Sequence, residues 1–319
     1  MMRRIARLLG FLVVCSIFLL SMILARPFLI LASRRTGESI LAHTARLWAK
    51  ALLTMIGLKV TPHELSRDLY STNHLLVSNH QSYLDIIIIA SIFPTLFIAK
   101  TEVSRWPLLG WLARLGGTIF VNRGDARSSV GCAYRVSRTL RDGVSVQVFP
   151  ESTTSDGSAV LPFKGLFFAS AIRAKAPILP LTIKFQSVDG RPMNQELLDV
   201  VCWYGEMAFA RHFWKLLRIK SVEVSLMINE PIEPNRAIGA QSLAELARER
   251  VYRSFANADA IAAARAEVPV EFARAETRLE GDEQISDEAV TPADFIVSSL
   301  LFSLFAPTQS ETAPRSDND

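Results

Sequence analysis

The chain has 319 residues, of which half are apolar and 21% are charged, so it is long enough for one sizeable domain with appendages. Its positive mean hydropathy of +0.24 and its net charge of +4 favour contact with anionic lipid, and the absence of any nucleic-acid-binding motif excludes DNA or RNA as the expected partner. The cysteines Cys15, Cys132 and Cys202 lie far apart and form no CxxC pair, which excludes a disulfide framework and a zinc site.

The N-terminal segment is strongly apolar. Residues 8–25 form an uncharged run of 18 residues, and a run of roughly 17–25 is needed to cross the hydrocarbon core of a bilayer. Ile23 does not fit a small-x-small cleavage pattern before Arg26, so we expect a retained anchor rather than a signal peptide. Residues 1–35 are therefore predicted to be a transmembrane or membrane-embedded anchor. Arginines on both sides of the run leave its orientation open.

The second segment, residues 36–57, is predicted to be an amphipathic helix. His43, Arg46 and Lys50 interrupt an otherwise apolar pattern, which is typical of a helix that lies in the membrane interface or packs back on the first segment. An ordinary core helix is the alternative. Both membrane arrangements leave the rest of the chain on the side where it started, and we expect the catalytic domain to face the cytoplasm from the inner membrane.

Residues 58–256 alternate short strand patterns with helical patterns. The predicted strands are 75–77, 96–98, 118–121, 144–149, 178–183 and 222–228. The predicted helices are 84–92, 107–115, 128–140, 166–174 and 206–217, followed by one over 242–255. This alternation predicts an α/β domain with a largely parallel central sheet flanked by helices.

The remaining residues, 257–319, are predicted to be a linker and tail without strand signals. Within them, residues 295–305 are apolar but too short to span a bilayer comfortably. From residue 308 the sequence is polar, which predicts disorder.

His80 and Asp85 are the candidate catalytic pair. His80 follows a predicted strand directly, and Asp85 lies five residues later at the start of an apolar helix. A carboxylate that accepts a hydrogen bond from one imidazole nitrogen fixes the tautomer and leaves the other nitrogen free as a general base. The pair lacks a nucleophile, so it fits a reaction in which the substrate supplies the hydroxyl. Nearby Ser82 is interpreted as a helix cap rather than as the attacking group.

Three further groups of residues lie at the ends of predicted strands. Arg123 closes the segment LGGTIFVNRG, Glu151 lies within VQVFPESTTSDG, and Pro180 lies within KAPILPLTI. A guanidinium at a strand end is suited to bidentate phosphate binding. Polar residues at strand ends of an α/β sheet converge where such sheets bind ligands. Any one of these residues alone would be interpreted as a surface charge, whereas their ordered succession predicts a site.

These segments resemble the motifs of the phosphate acyltransferase family typified by bacterial 1-acylglycerol-3-phosphate acyltransferases. The family pattern NHxSxxD is matched by Asn79, His80, Ser82 and Asp85, and its glycine followed by FxxR is matched by Gly117, Phe120 and Arg123. The pattern FPEGT corresponds to Phe149, Pro150, Glu151, Ser152 and Thr153, and the family's strand proline corresponds to Pro180. Lys100 lies in an AKxE segment that is common in the family. The resemblance covers roughly residues 40–255.

The resemblance implies direct acyl transfer to 1-acylglycerol-3-phosphate, which gives phosphatidic acid in phospholipid biosynthesis. His80 would act as general base on the acceptor hydroxyl, and Asp85 would orient it. The hydroxyl would attack the thioester of acyl-CoA or of acyl carrier protein (acyl-ACP). No metal or redox cofactor is implied, and the expected partners are membrane lipids, the lysophospholipid acceptor and the acyl donor.

The resemblance also implies which residues hold the acceptor. They are the remaining motif residues, Lys100, Arg123, Glu151, Ser152, Thr153, Asn79, Ser82, Gly117 and Pro180. Lys100, Arg123 and Glu151 would contact its phosphate and glycerol region, and backbone donors near residues 151–153 would stabilise the oxyanion.

Two positions depart from the family pattern. Ser152 replaces the usual glycine, and a serine would be strained there if the backbone needs a positive φ. Asn122 stands where an acidic residue is frequent, which changes the local charge beside Arg123.

Two alternatives remain open at this point. The acceptor could be another lyso-lipid, such as a lyso-ornithine lipid or a lysophospholipid with a different headgroup. The protein could also be a lipid-binding protein that has kept the fold without turnover, although such a protein would not need His80 as a base.

Overall fold

The structure is a computed structural model that describes residues 1–66, 69, 72–106, 109–234 and 236–266. The first two residues of the predicted helix 107–115 lie outside the described residues. So does the tail beyond residue 266, including the apolar segment 295–305.

Two long antiparallel helices begin the chain, α1 (Met2–Leu31) and α2 (Arg34–Ile56). The indole of Trp48 donates to the carbonyl of Val14, which joins the two helices. In the turn between them, the Ser33 side chain caps α2 by accepting from the NH of Thr36. α2 ends at Gly57, whose φ of 84° is a left-handed conformation that glycine adopts readily.

One side of α1 is buried and the opposite side is exposed. The buried residues recur at helical spacing and are Phe11, Cys15, Phe18, Met22 and Ala25. The large exposed residues between them include Leu9, Leu12, Ile17, Leu20, Leu24 and Phe28. Within the described residues α1 is the one helix long and apolar enough to cross a membrane, judged by length and composition alone. The N-terminal end of α1 is held on the rest of the protein, because the guanidinium of Arg7 donates to the carbonyls of Ile219 and Lys220.

A largely parallel sheet forms the centre of the protein, as the sequence predicts. Its strands are β1 (Leu58–His63), β2 (Leu75–Ser78), β3 (Thr95–Lys100), β4 (Ile119–Val121), β5 (Ser145–Val148), β6 (Ile178–Val188), β7 (Arg191–Pro192) and β8 (Val222–Ile228). They lie in the order β1-β8-β6-β2-β5-β3-β4, with β7 paired to β6. Only the pairings of β6 with β8 and with β7 are antiparallel within the described residues.

The other elements are short helices between these strands. They are α3 (Leu84–Ile92), a 3₁₀ turn (Thr101–Arg105), α4 (Leu109–Leu115), α5 (Ala126–Arg141), α6 (Phe168–Ala174), α7 (Gln195–Val201), α8 (Phe209–Leu216) and α9 (Ala240–Ala266). One apolar core contains residues of α1, α2, α3, α7 and α8, and a second contains residues of α5, α6 and α9. The two cores draw on alternate residues of β2: Leu76 belongs to the first, and Leu75 and Val77 to the second. The sheet is therefore covered by helices on both faces, which is the arrangement expected for parallel strands.

Several elements differ from the sequence prediction. β1 was not predicted, because its lysine, threonine, proline and histidine mask an edge strand in which only the two end residues are buried. β6 continues five residues beyond the predicted end, because its second half pairs with β8. The helices α7 and α9 also differ. α7 was not predicted, because it is a single short helix without a clear periodic signal. α9 is longer than predicted: it continues from Ala240 to Ala266, across the predicted domain boundary at 256.

Candidate active site

His80 and Asp85 meet where β2 ends and α3 begins. Asp85 is fully buried, and its Oδ2 accepts a 2.8 Å hydrogen bond from Nδ1 of His80. The same oxygen accepts from the backbone NH groups of Gln81, at 2.6 Å, and Ser82, at 2.8 Å. These donors and the N-terminal end of α3 stabilise a negative charge on Asp85. The contact expected between the two side chains is therefore present.

The imidazole of His80 faces the cavity with one nitrogen available. Because Nδ1 carries the hydrogen that is donated to Asp85, Nε2 is the nitrogen that can accept a proton. The ring of Phe149 stacks on the imidazole, with ring centroids 3.8 Å apart and an interplanar angle of 16°. The His80 side chain keeps 17% of its surface exposed. Its orientation is thus determined by one hydrogen bond and one stacking contact.

A cavity of about 520 Å³ lies over the carboxyl ends of β2 to β5 and includes His80 in its wall. Three cationic side chains line it, Lys100 at the end of β3, Arg123 after β4 and Lys164 in the loop after β5. Glu206 is the one carboxylate in this lining. The apolar part of the wall includes Ile86, Ile98, Val121, Val148, Phe167 and Trp203. A cavity of this composition can hold an anionic headgroup and apolar chain atoms together.

Arg123 is joined by a hydrogen bond to residues 149–153, which are called the FPEST loop after their sequence. Its guanidinium donates to the backbone carbonyl of Ser152, and both residues line the cavity. Ser152 has a φ of 65°, the left-handed conformation in which a glycine would be unstrained. The sequence predicted strain at Ser152 if its φ is positive. Because φ is positive, this strain is present. At Asn122, the side-chain oxygen accepts from the NH of Gly124, so this residue shapes the turn next to Arg123.

Glu151 is placed differently from what the resemblance implied. Its carboxyl group is buried and does not line the cavity. The pKa of Glu151 is raised to about 8, mainly by burial, and the nearby charge of Asp85 acts in the same direction. The backbone NH groups of His80 and Leu161 and the charge of Arg248 lower this pKa by smaller amounts, although neither NH meets strict hydrogen-bond geometry with the carboxyl. Glu151 is thus a largely protonated group behind the catalytic pair, and not a direct contact for the acceptor.

The other proposed binding residues Asn79, Ser82, Gly117 and Pro180 do not line the cavity either. The Asn79 amide exchanges two 2.9 Å hydrogen bonds with the backbone of Ile183, which joins β2 to β6. Gly117 has a φ of 82°, which strains any other residue, and a Cβ there would lie 2.9 Å from Cδ1 of Leu41. Pro180 is buried in β6, in register with a residue of β2. These three residues therefore position the strands rather than bind a ligand.

Ser82 corrects a second expectation. The first residue before α3 is Tyr83, and no side-chain hydroxyl caps this helix. Asp85 accepts from the NH of Ser82 instead, and the Ser82 hydroxyl is buried with no hydrogen-bond partner among the described residues. The carboxylate of Asp85 thus holds the turn before α3, and the capping role that had been assigned to Ser82 is not present.

Lys164, Trp203 and Glu206 were missed by the sequence reasoning. Lys164 lies in the long loop after β5, and the other two lie between α7 and α8. The loop with Trp203 reaches the site because the NH of Trp203 donates to the carbonyl of Gln81 at 2.8 Å. No spacing relates these residues to the motifs, so only the fold brings them to the cavity.

Comparison with known proteins gives consistent relatives. A family model described as Acyltransferase matches residues 57–184. The chain is 32% identical over 214 residues to the lyso-ornithine lipid O-acyltransferase of Rhizobium meliloti (strain 1021), which covers 65% of this chain and 72% of that protein. It is also 32% identical over 152 residues to a 1-acyl-sn-glycerol-3-phosphate acyltransferase of Neisseria gonorrhoeae, covering 48% of this chain and 57% of the relative.

A solved structure has a similar fold. The crystal structure of the 1-acyl-sn-glycerophosphate (LPA) acyltransferase PlsC from Thermotoga maritima superposes with a TM-score of 0.54 at 22% sequence identity. The match covers 81% of this chain and 98% of that chain. At this identity the likeness supports the fold alone.

Proposed function

The chain belongs to the acyltransferase family, and from this membership we propose that it acylates the free hydroxyl of 1-acylglycerol-3-phosphate to give phosphatidic acid. The acyl donor in this proposal is a thioester, either acyl-CoA or acyl-ACP. The observation that carries the proposal is the hydrogen bond between His80 and the buried Asp85 at the wall of a cationic cavity.

The proposed chemistry needs no nucleophile from the protein. Nε2 of His80 removes the proton of the acceptor hydroxyl as its oxygen bonds to the thioester carbonyl carbon. The C–S bond of the resulting tetrahedral intermediate then breaks, and the thiolate takes the proton from the imidazolium. Asp85 stabilises that imidazolium through Nδ1. Proton movement is complete within this cycle, so we propose no metal or redox cofactor.

Backbone donors of the FPEST loop are proposed to stabilise the oxyanion. The NH of Ser152 is already bonded to the carbonyl of Phe149 at 3.1 Å. In the part of the chain that the structure describes, the NH of Thr153 makes no hydrogen bond, and Thr153 lines the cavity. We therefore assign this role to Thr153.

The acceptor's phosphate is proposed to bind to the cationic side chains that line the cavity. Lys100, Arg123 and Lys164 provide three positive charges there, and a guanidinium can bind phosphate through two parallel hydrogen bonds. The apolar wall is proposed to take part of the acyl chains.

The membrane is proposed to deliver the lipid substrate. α1 is apolar, exposes large apolar side chains along one side, and is long enough to cross a membrane, judged by length and composition. We propose that the protein resides at the inner membrane with the α/β domain in the cytoplasm, where acyl-CoA and acyl-ACP are available.

A lyso-ornithine lipid is the second candidate acceptor, and two observations favour it. The alignment with the Rhizobium meliloti enzyme covers more of this chain than the alignment with the Neisseria gonorrhoeae enzyme does. In addition, Glu206 places one carboxylate in a cavity that is otherwise cationic. An ornithine headgroup carries a carboxylate and an ammonium group, so it can satisfy both signs.

Both candidates are tested by acyl transfer with purified full-length protein. Labelled acyl-CoA and acyl-ACP are each offered with 1-acylglycerol-3-phosphate or with lyso-ornithine lipid, and the lipid products are separated. We expect wild type to acylate one acceptor in preference and His80→Ala to be slower by about 10²–10⁴-fold. Equal rates for wild type and His80→Ala, including equally zero rates, would contradict the enzymatic proposal and support a lipid-binding protein.

A further inference from the structure

A second cavity, of about 350 Å³, opens between α2 and α5. Arg34 and Glu38 of α2 line it together with Tyr134, Arg135 and Arg138 of α5. The active-site cavity contacts the same helix nearer its start, at Ser129. At a rise of about 1.5 Å per residue, the two sites are on the order of 10 Å apart along α5. The second cavity is therefore adjacent to the active site but separate from it.

Two arginines of this cavity are available to an anion. Within the described residues, the guanidinium groups of Arg135 and Arg138 take part in no ion pair or hydrogen bond. They lie three residues apart on α5, so their side chains lie on the same face of the helix. Both are exposed, and both line the cavity. Such a pair is suited to the oxygens of a phosphate group.

Arg34 is already held in place by its neighbours. Its Nε donates to Oε1 of Glu38 at 2.9 Å, and its Nη2 donates to Oγ1 of Thr139 at 3.2 Å. Asp142 lies 3.7 Å from the same Nε. The positive charge of Arg34 is thus largely compensated, so a bound anion would interact mainly with the two arginines of α5.

Glu38 supplies an unmet acceptor at the same cavity. The residue is 9% exposed, and its Oε2 is buried with no hydrogen-bond donor among the residues described. A buried carboxylate oxygen without a donor is unfavourable, and a ligand that carries an NH group would relieve this. The cavity therefore favours a ligand with a phosphate and a donor group together, and a simple anion would leave Glu38 unsatisfied.

Apolar side chains next to the cavity indicate a lipid as the source of that ligand. α1 ends three residues before Arg34, and its last residues Phe28, Ile30 and Leu31 are 75%, 72% and 86% exposed. On α5, Val130 and Tyr134 are also exposed, one helical turn apart. Acyl chains would lie along these side chains while the headgroup occupies the cavity.

We propose that this cavity binds the headgroup of phosphatidylethanolamine from the membrane that α1 contacts. Arg135 and Arg138 bind the phosphate, and the carboxylate of Glu38 turns its unbonded Oε2 towards the primary ammonium, which donates to it. Phosphatidylglycerol lacks the ammonium, and the quaternary ammonium of phosphatidylcholine has no NH to donate. The proposal depends on membrane association of α1 and is independent of which acceptor is acylated.

The test is native mass spectrometry of the full-length protein in detergent with one added lipid at a time: phosphatidylethanolamine, phosphatidylglycerol or phosphatidylcholine. We expect wild type to bind phosphatidylethanolamine in preference to the other two. The double variant Arg135→Gln/Arg138→Gln should bind it about tenfold more weakly, as expected for the loss of charge-assisted hydrogen bonds. Glu38→Gln should bind phosphatidylethanolamine and phosphatidylcholine equally.

A matched control is Arg191→Gln/Arg236→Gln, which removes the same charge from two exposed arginines that line neither cavity. This control should bind lipid as wild type does. Acyl transfer by every variant should stay at the wild-type rate, which reports intact folding and keeps this test separate from that of the enzymatic function. Binding of phosphatidylglycerol at least as tight as that of phosphatidylethanolamine would overturn the proposal, as would unchanged binding by the α5 double variant.

Discussion

Two parts of the active-site cavity are built differently: the His80–Asp85 pair, here called the His80 end, and the side chains of Lys100, Arg123 and Lys164, here called the cationic end. At the His80 end, the side chains are held by buried hydrogen bonds on central strands. Asp85 accepts three hydrogen bonds through one oxygen, and Asn79 joins β2 to β6 next to it. One oxygen of this buried carboxylate is held by three donors, which leaves the group little freedom to move. This end determines where a proton can be transferred.

At the cationic end, the side chains are exposed, and within the described residues only that of Arg123 makes a hydrogen bond. Arg123 follows β4, which is a three-residue strand at the edge of the sheet. Its hydrogen bond to Ser152 runs to a backbone carbonyl, and Lys100 and Lys164 are exposed. Long cationic side chains of this kind can adapt to more than one anionic group.

The difference indicates how one fold serves different acceptors. In the proposed mechanism, proton removal requires a base whose position is fixed, and the hydrogen bonds of the His80–Asp85 pair provide this. Headgroup binding needs only positive charge within reach, so that end tolerates variation. The relatives of this chain include enzymes named for a lyso-ornithine lipid and for 1-acyl-sn-glycerol-3-phosphate, which fits this division.

The largest expected effect comes from Asp85→Asn at the rigid end. All three donors, Nδ1 of His80 and the NH groups of Gln81 and Ser82, bond to the same oxygen, so an asparagine oxygen at that position can accept from all of them. The negative charge that stabilises the imidazolium is lost. We expect kcat to fall by on the order of 10³-fold with the fold retained. Single-turnover acyl transfer and circular dichroism measure the two quantities. A loss below about tenfold would mean that the reaction does not depend on the charge of Asp85.

Glu151→Gln tests whether the buried carboxyl group of Glu151 is protonated in the native protein, through the pH dependence of the free energy of unfolding. The native pKa is about 8 and the ordinary value is 4.5, so between these pH values the native protein holds a proton that the unfolded chain has lost. This group therefore makes the free energy of unfolding decrease as pH rises from about 4.5 to about 8, by at most about 1.4 kcal/mol per pH unit. Urea unfolding of Glu151→Gln should show a flatter decrease over this range.

The buried His212 also makes the free energy of unfolding depend on pH, but in the opposite direction to Glu151. Burial lowers the pKa of His212 to about 4, so its contribution to stability is present above about 6.5 and is lost as pH falls towards 4. Since His212 is present in both proteins, subtracting the two pH profiles leaves the Glu151 contribution. Parallel profiles would show that Glu151 is ionised in the native protein.

Arg123→Gln tests the adaptable end. Loss of one charge-assisted contact should raise KM for the anionic acceptor by about tenfold, with a smaller change in kcat. Arg123→Lys keeps the charge and should recover part of the loss. Initial rates at varied acceptor concentration separate the two parameters. A fall in kcat as large as that of Asp85→Asn would place Arg123 in the chemical step and would remove the contrast between the two ends.

The smallest effect is expected for Ser152→Gly. The serine is strained at its φ of 65°, whereas glycine adopts this conformation freely, although glycine also increases the entropy of the unfolded chain. We expect a net gain of about 0.5–1 kcal/mol in the free energy of unfolding and an acyl-transfer rate close to that of wild type. Thermal unfolding checks the gain. A loss of stability would indicate that the Ser152 hydroxyl makes a stabilising contact that outweighs the strain.

The sequence by itself determined the features that depend on local spacing. The alternation of strand and helix patterns was sufficient for the α/β class and for most strand positions, because strands buried on both faces appear as short continuous apolar runs. His80 and Asp85 are five residues apart across one strand-to-helix turn, so short-range geometry alone brings them together. At Ser152 the glycine of the family pattern indicated only that the backbone could have a positive φ, and the structure shows that it does.

Only the tertiary structure decided which motif residues face the cavity. Asn79, Gly117 and Pro180 position strands, and Glu151 is buried behind the dyad, because residues more than sixty positions away pack against them. Lys164 and Glu206 reach the cavity on loops whose paths depend on those same long-range contacts. The second cavity likewise requires α2 and α5 to be adjacent, which no pattern within either helix can indicate, because each helix records only which of its own faces is apolar.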